Sequence, residues 1–417
     1  MRKIIMTIAA AAMLYGCTGM TGNNEGNLPA VDVEGAIEKP VGLKVSDLGP
    51  KISYIPLETN DSSLIGRKYT LRAKNDVLMV IESDTRECCL TFSLADGRFI
   101  ASVGHPGQDP DAWSTPLPEV STDNNLYFFR YSSDGPTAQK YSVNGEYLGK
   151  IHPGALSNWQ GNSVISDTTV VTVESVISPE DVFGLKFIKC GINSPADTTV
   201  LLPLQGPLTY RSWDMVTIQR VNGIFSGSQV HFVKYESADG IVYTPDDGSC
   251  ELWLTGNEAR FKPVFVDTLY AVTSETMMPA FVFDTGADGV DYRTMNSKGI
   301  KPNTLILCDV LETPDKIVFA ASRGWMGDDS HEPFVGFYDK STGKTVATEA
   351  EKGFVDDIDG FMPFNPIVTT PDGRLIGMIT IEDIYRWTEE HPDAKLPASL
   401  QWLPDDANPI MVVVSEQ

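Results

Sequence analysis

A hairpin motif that recurs along the chain restricts the fold more than any other feature of the sequence. In each copy an aromatic residue opens a short strand that ends near a turn glycine, and the aromatic positions lie 49, 46, 45, 49 and 56 residues apart. A four-stranded propeller blade takes about 40–50 residues, and glycine adopts the positive φ that a tight hairpin turn requires. The repeat therefore predicts an all-β propeller. The aromatic positions are Phe92, Tyr141, Phe187, Phe232, Phe281 and Phe337.

The two ends of the repeat region also have strand character. Residues 52–56 and 409–414 are rich in β-branched and apolar side chains, and residues 367–380 contain a further pair of strand-like runs. We expect the early strand to pair with the last one, which closes the ring by joining the two termini. Counting this unit, the spacing leaves six or seven blades open. Residues 382–403 are expected to form a short helix and a loop before the final strand.

The first 16 residues contain the parts of a secretory signal. Arg2 and Lys3 precede an apolar run over 4–15, which is shorter than the roughly 20 residues that a membrane-spanning helix needs. The run ends at Gly16-Cys17, which resembles a bacterial lipobox, where the cysteine thiol is acylated before cleavage. We therefore predict a signal peptide over 1–16 and a lipid anchor at Cys17. An ordinary signal peptide with an incidental cysteine is the alternative.

Composition divides the rest of the chain into a tether and one large domain. Residues 17–45 begin with a stretch rich in glycine and asparagine, which predicts a flexible lipidated tether, and residues 46–417 are expected to form a single propeller domain. The formal net charge of −24 repels nucleic acid. We expect a lipid-anchored outer-membrane protein of the cell envelope that binds no nucleic acid. Its periplasmic or surface orientation stays open.

Three stretches of the sequence resemble the six-bladed β-propeller lipoproteins of Bacteroidetes. The similarity extends over roughly residues 45–417, and it implies six blades and brings no catalytic residues with it. The stretches are ISYIPLET at 52–59 followed by LIG at 64–66; FSLADGRFI at 92–100 running into GHPGQDP at 104–110; and DTLY at 267–270 combined with DIDG at 357–360, Pro363 and DANP at 406–409.

The sequence contains no nucleophile, phosphate-binding or zinc motif of a known catalytic type. Carboxylates are grouped at Asp356, Asp357 and Asp359, where oxygen ligands could hold calcium, although Asp-Gly is first of all a turn signal. A second group at 328–332 has the same two interpretations, a metal site or a solvated loop. We expect no cofactor, with calcium as the one candidate.

Large side chains in two classes of loop suggest a binding face. In a propeller, the loops that connect successive blades share one face with the loops between the second and third strands, and such loops carry binding sites. We predict that aromatic and arginine side chains rim the channel mouth there and contact a ligand. The alternative is that each tryptophan covers an apolar edge between blades. The predicted rim residues are Trp113, Trp159, Tyr210, Arg211, Trp213, Arg323 and Trp325.

These features favour a non-catalytic envelope lipoprotein that binds a glycan, a peptide or a partner protein through its loop-rich face. The alternative is a propeller hydrolase or lyase with a metal or a carboxylate site in the central channel. Glu82, Asp167, Glu174 and Asp328 are the candidate carboxylates for that chemistry. Fold alone does not decide between the two, because propellers host both kinds of function.

Overall fold

The computed structural model describes most of the chain downstream of residue 27. The described residues are 28–82, 87–114, 117–120, 125–132, 135–154, 162–164, 169–177, 182–191, 194–209, 215–222, 229–237, 240–245, 251–256, 258–262, 266–272, 277–289, 303–324 and 331–416.

Five four-stranded antiparallel sheets make up most of the fold, as the repeat predicts. They are β4 (Thr70–Lys74), β5 (Val77–Glu82), β6 (Cys88–Ser93) and β7 (Phe99–Ser102); β8 (Glu119–Val120), β9 (Asn125–Ser132), β10 (Gly135–Ser142) and β11 (Tyr147–Ile151); β12 (Asn162–Val164), β13 (Thr169–Ile177), β14 (Val182–Gly191) and β15 (Ser194–Thr209); β23 (Leu305–Glu312), β24 (Lys316–Arg323), β25 (Glu332–Asp339) and β26 (Lys344–Glu349); and β28 (Val368–Thr369), β29 (Leu375–Ile379) and β30 (Ile410–Ser415) with β3 (Lys51–Pro56).

The remaining elements depart from the four-stranded pattern. They are a five-stranded sheet of β19 (Glu251–Thr255), β20 (Glu258–Lys262), β21 (Thr268–Val272), β22 (Met277–Asp284) and β1 (Ala30–Asp32); a three-stranded sheet of β16 (Met215–Asn222), β17 (Gln229–Ser237) and β18 (Gly240–Pro245); a ribbon of β2 (Leu43–Lys44) and β27 (Phe354–Val355); the helices α1 (Val33–Glu38) and α2 (Ile381–Glu390); and 3-10 turns at Val45–Asp47 and Ala398–Leu400.

The prediction of six blades is therefore corrected to five four-stranded blades. The aromatic repeat marks the third strand in β6, β10, β14 and β25, but Phe281 lies on β22, the fourth antiparallel strand of its sheet. That sheet also gains β1, which pairs with β22 in parallel. A constant spacing of aromatic residues does not record such a shift by one strand, nor the three strands that the β16–β18 sheet has among the described residues.

Apolar clusters join neighbouring sheets and give the propeller arrangement. One cluster packs Met79 of the β4–β7 sheet against Phe128 of the β8–β11 sheet, and another packs Tyr127 against Val170 of the next sheet. Further clusters join β28–β30 to the sheets on either side of it, and β23–β26 to the five-stranded sheet. Each sheet of these pairs buries a face against its neighbour, because one sheet alone would leave it exposed to water.

The ring is closed by the two ends of the domain, which confirms the predicted pairing. Strand β3 pairs antiparallel with β30, from Lys51 opposite Ser415 to Pro56 opposite Ile410. Asn408, just before β30, is buried, and its side chain donates to the backbone oxygens of Glu58 and Ser63 at 2.7 and 2.8 Å. The DANP stretch therefore fixes the connection that follows β3.

The predicted tether is too long at its C-terminal end. Residues 17–27 lie outside the described part of the chain, whereas residues from Ala30 onward form β1, α1 and β2. Val31, Val33 and Leu43 are almost fully buried against the sheets. Asp32 caps α1 by accepting a hydrogen bond from the Gly35 backbone N–H at 2.9 Å. This N-terminal strap, residues 30–47, belongs to the folded domain.

Candidate functional site

A cleft of about 570 Å³ lies on the face where the sequence predicts binding. Three connections line it together with residues of β3, β29 and β30. The connections are α2, residues 362–367 and the residues before β4, which contribute Tyr69. Helix α2 joins the second and third strands of its blade, and the other two segments leave the fourth strand of a blade. In an antiparallel meander these connections lie at the same end of the strands. We call this feature the α2 cleft.

Local hydrogen bonds fix the start of α2. The Thr380 side chain accepts from the Asp383 backbone N–H, and the Asp383 carboxylate accepts from the Thr380 backbone N–H and, at 2.7 Å, from its hydroxyl. This reciprocal capping satisfies N–H groups that the first turn leaves free. Ile381 and Ile384 are buried in the core. An adjoining side of the helix presents Asp383, Trp387 and Glu390 to the cleft, and Trp387 is partly buried because it also packs against this core.

Trp387 is the largest side chain on this face of α2. Its ring stacks on His391, with centroids 3.7 Å apart and planes 19° from parallel. Its indole nitrogen is covered by surrounding atoms, and no acceptor among the described residues reaches it. A covered donor without a partner costs about 1–3 kcal/mol. A ligand acceptor that reaches this N–H after a small shift of the indole would remove that cost.

Charged and hydroxyl groups surround the aromatic ring. Arg386 lies 3.7 Å from the Asp383 carboxylate, and both groups are open to solvent. Burial, and secondarily the Asp383 charge, raises the pKa of Tyr69 to about 12. The Tyr69 hydroxyl therefore keeps its proton at neutral pH. The cleft consequently contains hydrogen-bond donors and acceptors of both charge signs beside aromatic surface.

A glycine in β29 allows residues 364–365, which line the cleft, to lie close to the blade. A Cβ at Gly377 would lie 2.5 Å from the Asn365 backbone oxygen and 3.0 Å from Phe364 Cε2. Phe364 is buried, and its backbone exchanges two hydrogen bonds with Phe354. Because any larger residue at position 377 would fill this space, residues 364–365 can lie this close to β29 only beside a glycine.

The carboxylate group at 356–359 forms a turn that contacts Tyr54, one of the residues lining the cleft. Asp356 is buried and accepts from the backbone N–H groups of Ile358, Asp359 and Phe361 at 2.9–3.0 Å. It also accepts from the Tyr54 hydroxyl at 2.8 Å. Burial and this hydrogen bond raise the pKa of Tyr54 well above its usual range. These contacts support the turn interpretation for Asp356.

Trp113 is the one predicted rim tryptophan within the described residues, and it is buried. The side chain has no exposed surface, its indole N–H donates to the Val103 oxygen at 3.1 Å, and its ring stacks on Phe128. A Cβ at Gly104 would lie 2.6 Å from the indole nitrogen, so this glycine allows the close approach. In this position Trp113 fills the interface between two blades and presents no ring face to a ligand.

The other predicted residues are not brought together by the described part of the chain. Arg323 ends β24, half-buried, and its backbone pairs with Glu332. Glu82, a candidate for catalysis, is buried and accepts from the Gly66 backbone N–H at 2.7 Å. The side chain of Glu174 on β13 is not described. Cys17, Trp159, Tyr210, Arg211, Trp213, Trp325, Asp167 and Asp328 lie outside the described residues.

Sequence reasoning missed the residues of the α2 cleft. The available signal was the expected helix within 382–403, because a helix between the second and third strands of a blade enlarges the loop face. Tyr69 and Phe364 carried no comparable signal.

Among the residues described, no cluster of three or more His, Cys, Asp or Glu side chains is arranged to hold a metal ion. Within the same residues, no helix has the length and apolar character needed to cross a membrane.

Comparison with known proteins gives a family and a fold. The model of the domain of unknown function DUF4934 matches residues 28–415. No curated protein matches the chain. The structure of a Bacteroides fragilis NCTC 9343 protein, described as exported, superimposes with a TM-score of 0.56 at 13% identity, covering 93% of this chain and 99% of that one. At this identity the similarity concerns the fold alone.

Two further solved structures are more distant. A member of the DUF4221 family from Bacteroides vulgatus has a TM-score of 0.42 at 9% identity, covering 88% of this chain and 96% of its own. The β-propeller domain of Cps50 (Swd1) from Myceliophteria thermophila has a TM-score of 0.35 at 10% identity, covering 87% of this chain and all of its own.

Proposed function

We propose that this chain, which belongs to the family of the domain of unknown function DUF4934, is an exported, lipid-anchored envelope protein that binds a ligand in the α2 cleft without catalysis. The signal-like start and Gly16-Cys17 support export and acylation. The description of the Bacteroides fragilis structure as an exported protein agrees with export. The ligand is a glycan, a peptide or a partner protein.

The cleft itself is the observation that carries the proposal. Its volume falls within the roughly 300–1,000 Å³ typical of ligand pockets. Aromatic surface from Trp387 and Tyr69 lies beside a few polar groups, which is the lining that orients a bound molecule. Three of the segments that line the cleft are connections on one face, where loops can vary while the sheets hold them in place.

Asp383 in the lining of the cleft and Asp356 next to Tyr54 hold the local structure, which favours binding over catalysis at these two carboxylates. Asp383 already accepts two hydrogen bonds from Thr380 at the start of α2, and Asp356 accepts four from its own turn and Tyr54. A general base must be free to accept a proton from the reacting group. These two carboxylates instead maintain the shape of the site.

The binding proposal is tested with the full chain carrying Cys17→Ser, which prevents acylation. Glycan and peptide arrays are probed with this protein, with Trp387→Ala, and with Trp402→Ala as the matched control. Trp402 is 92% exposed and lies outside the cleft. We expect array ligands that are lost with Trp387→Ala and kept with Trp402→Ala. Ligands that survive Trp387→Ala, or an array without any ligand, would contradict the assignment.

The anchoring proposal has a separate test. Cells expressing the natural chain are labelled with radioactive palmitate, and the Cys17→Ala chain serves as the control. We expect label in the natural chain and none in the variant. Equal labelling of both chains would contradict acylation at Cys17.

A further inference from the structure

The charges around the α2 cleft do not match a charged ligand. Asp383 and Glu390 line it together with Arg386, and the guanidinium lies within 3.7 Å of the Asp383 carboxylate. An anionic ligand would meet two carboxylates and the field of a chain with a net charge of −24. A cation would gain little here, because Arg386 lies beside Asp383 and offsets its charge, and an ion pair with the exposed Glu390 carboxylate contributes little to affinity. The arrangement therefore disfavours an anionic ligand and gives a cationic one no strong advantage over a neutral one.

The polar groups are of both kinds and lie close together. Arg386, the Trp387 indole and the protonated Tyr69 hydroxyl can donate hydrogen bonds, and the Glu390 carboxylate and the Asn365 amide oxygen can accept them. A hydroxyl group both donates and accepts, so one hydroxyl can bridge an N–H and a carboxylate. A ligand that carries several hydroxyls uses such a lining more completely than an apolar one does.

Aromatic surface supplies the second part of the match. Trp387 and Tyr69 contribute partly buried rings, and Met362 and Met378 add adaptable apolar contact. A pyranose ring presents flat faces of C–H groups with hydroxyls at its edge. Such a molecule can cover apolar surface and form hydrogen bonds with the polar groups in the same pose.

From this combination we infer that the α2 cleft binds a neutral, hydroxyl-rich ligand, namely a short saccharide. The inference rests on the proposed binding function and names its ligand class. The Trp387 N–H is covered in the free protein, so binding includes a small movement of the indole or of α2 that brings this donor to a sugar oxygen.

The test uses the full chain with Cys17→Ser and ligands that differ in charge. Neutral oligosaccharides from the glycan array, including the N-acetylglucosamine tetramer, are compared with the cationic glucosamine tetramer and the anionic galacturonate tetramer by titration calorimetry. An apolar peptide from the peptide array is the fourth probe. We expect binding of at least one neutral saccharide, and weaker or no binding of the two charged tetramers.

Two conservative variants locate the contact. Trp387→Phe keeps an aromatic ring and removes the N–H, and we expect about tenfold weaker binding, in line with the loss of one hydrogen bond. Glu390→Gln removes the charge of an acceptor, and we expect several-fold weaker binding, with the neighbouring Glu389→Gln as the matched control because Glu389 does not line the cleft. Both glutamates are exposed, so folding is preserved in these two variants.

The outcomes separate the inference from the function on which it rests. Binding of the peptide alone, with loss in Trp387→Phe, would overturn the saccharide assignment, and binding of the charged tetramers alone would overturn the neutral character of the ligand. Either result would leave the α2 cleft as a binding site. Saccharide binding that is unchanged in Trp387→Phe and Glu390→Gln would place the sugar elsewhere and overturn the inference. Failure of every probe would contradict both.

Discussion

The strongest stability prediction concerns Glu312, which joins two neighbouring sheets. Its side chain has no exposed surface. The carboxylate accepts from Arg260 Nε at 2.9 Å and from Lys340 Nζ at 2.8 Å, with a further contact from the Thr255 hydroxyl at 3.3 Å. Arg260 belongs to β20, whereas Glu312 ends β23. One buried carboxylate therefore holds two cations from different elements.

Glu312→Gln keeps the size of the side chain and one acceptor oxygen but removes the negative charge. Arg260 and Lys340 then stay largely buried without their counter-charge, and breaking a buried ion pair from one side costs about 3–5 kcal/mol. Because the amide oxygen still accepts one hydrogen bond, we expect the free energy of unfolding to fall by roughly 3 kcal/mol, at the lower end of that range.

The measurement is urea unfolding followed by circular dichroism, with Glu258→Gln as the matched control. Glu258 binds the same guanidinium, at 2.7 Å from Arg260 Nη1, but its side chain is 56% exposed. Exposed ion pairs contribute about 0–1 kcal/mol, so the control should change little. If Glu312→Gln lost less than about 1 kcal/mol, or no more than Glu258→Gln, the buried carboxylate would not be the connection between the sheets that we infer.

Three further predictions test the loop face and one ion pair. Asn408→Ala leaves two backbone oxygens of the connection after β3 without their donor, so we expect a loss of about 1–3 kcal/mol in urea unfolding, whereas an unchanged midpoint would contradict the role of Asn408 in ring closure. Gly377→Ala forces the wall at 364–365 away from β29, so we expect lower thermal stability and weaker ligand binding; a variant with native values of both would contradict the close approach. Burial raises the pKa of Glu119 to about 7 despite Arg72 nearby, so the folded protein holds this proton more tightly than the unfolded chain, and stability from this group is lost as pH rises from about 4.5 to about 7. Glu119→Gln should flatten that loss in unfolding midpoints measured across this pH range, and identical slopes in both proteins would refute it.

The propeller arrangement could be predicted because its cause is local. Each hairpin needs a turn glycine and alternating side chains, and these recur at intervals that the sequence displays directly. The pairing of β3 with β30 was predictable for the same reason, since both are strong strand formers at the two ends of the repeat. The number of blades was not, because Phe281 keeps the spacing although it lies one strand later in its sheet.

The site was less accessible to sequence reasoning because it depends on distant residues. Trp113 lies in a connection and was expected at the rim, yet a large apolar ring gains more from burial beside Phe128 than from exposure. The α2 cleft brings Tyr69 together with Phe364 and Trp387, which are about three hundred residues away along the chain. No local pattern records that proximity. The strap was missed because its buried positions are few and follow a polar segment.

The path of the strap determines how the molecule would respond to a pull from its N-terminal side. Force applied upstream of residue 28 first reaches β1, which is held by its ladder with β22, then α1, which packs near β26, and then the β2–β27 ribbon. Three successive attachments must therefore yield before tension reaches the β3–β30 seam. If the protein is anchored to a membrane at this end, these three attachments bear an applied force first, and the β3–β30 pairing that closes the ring stays intact.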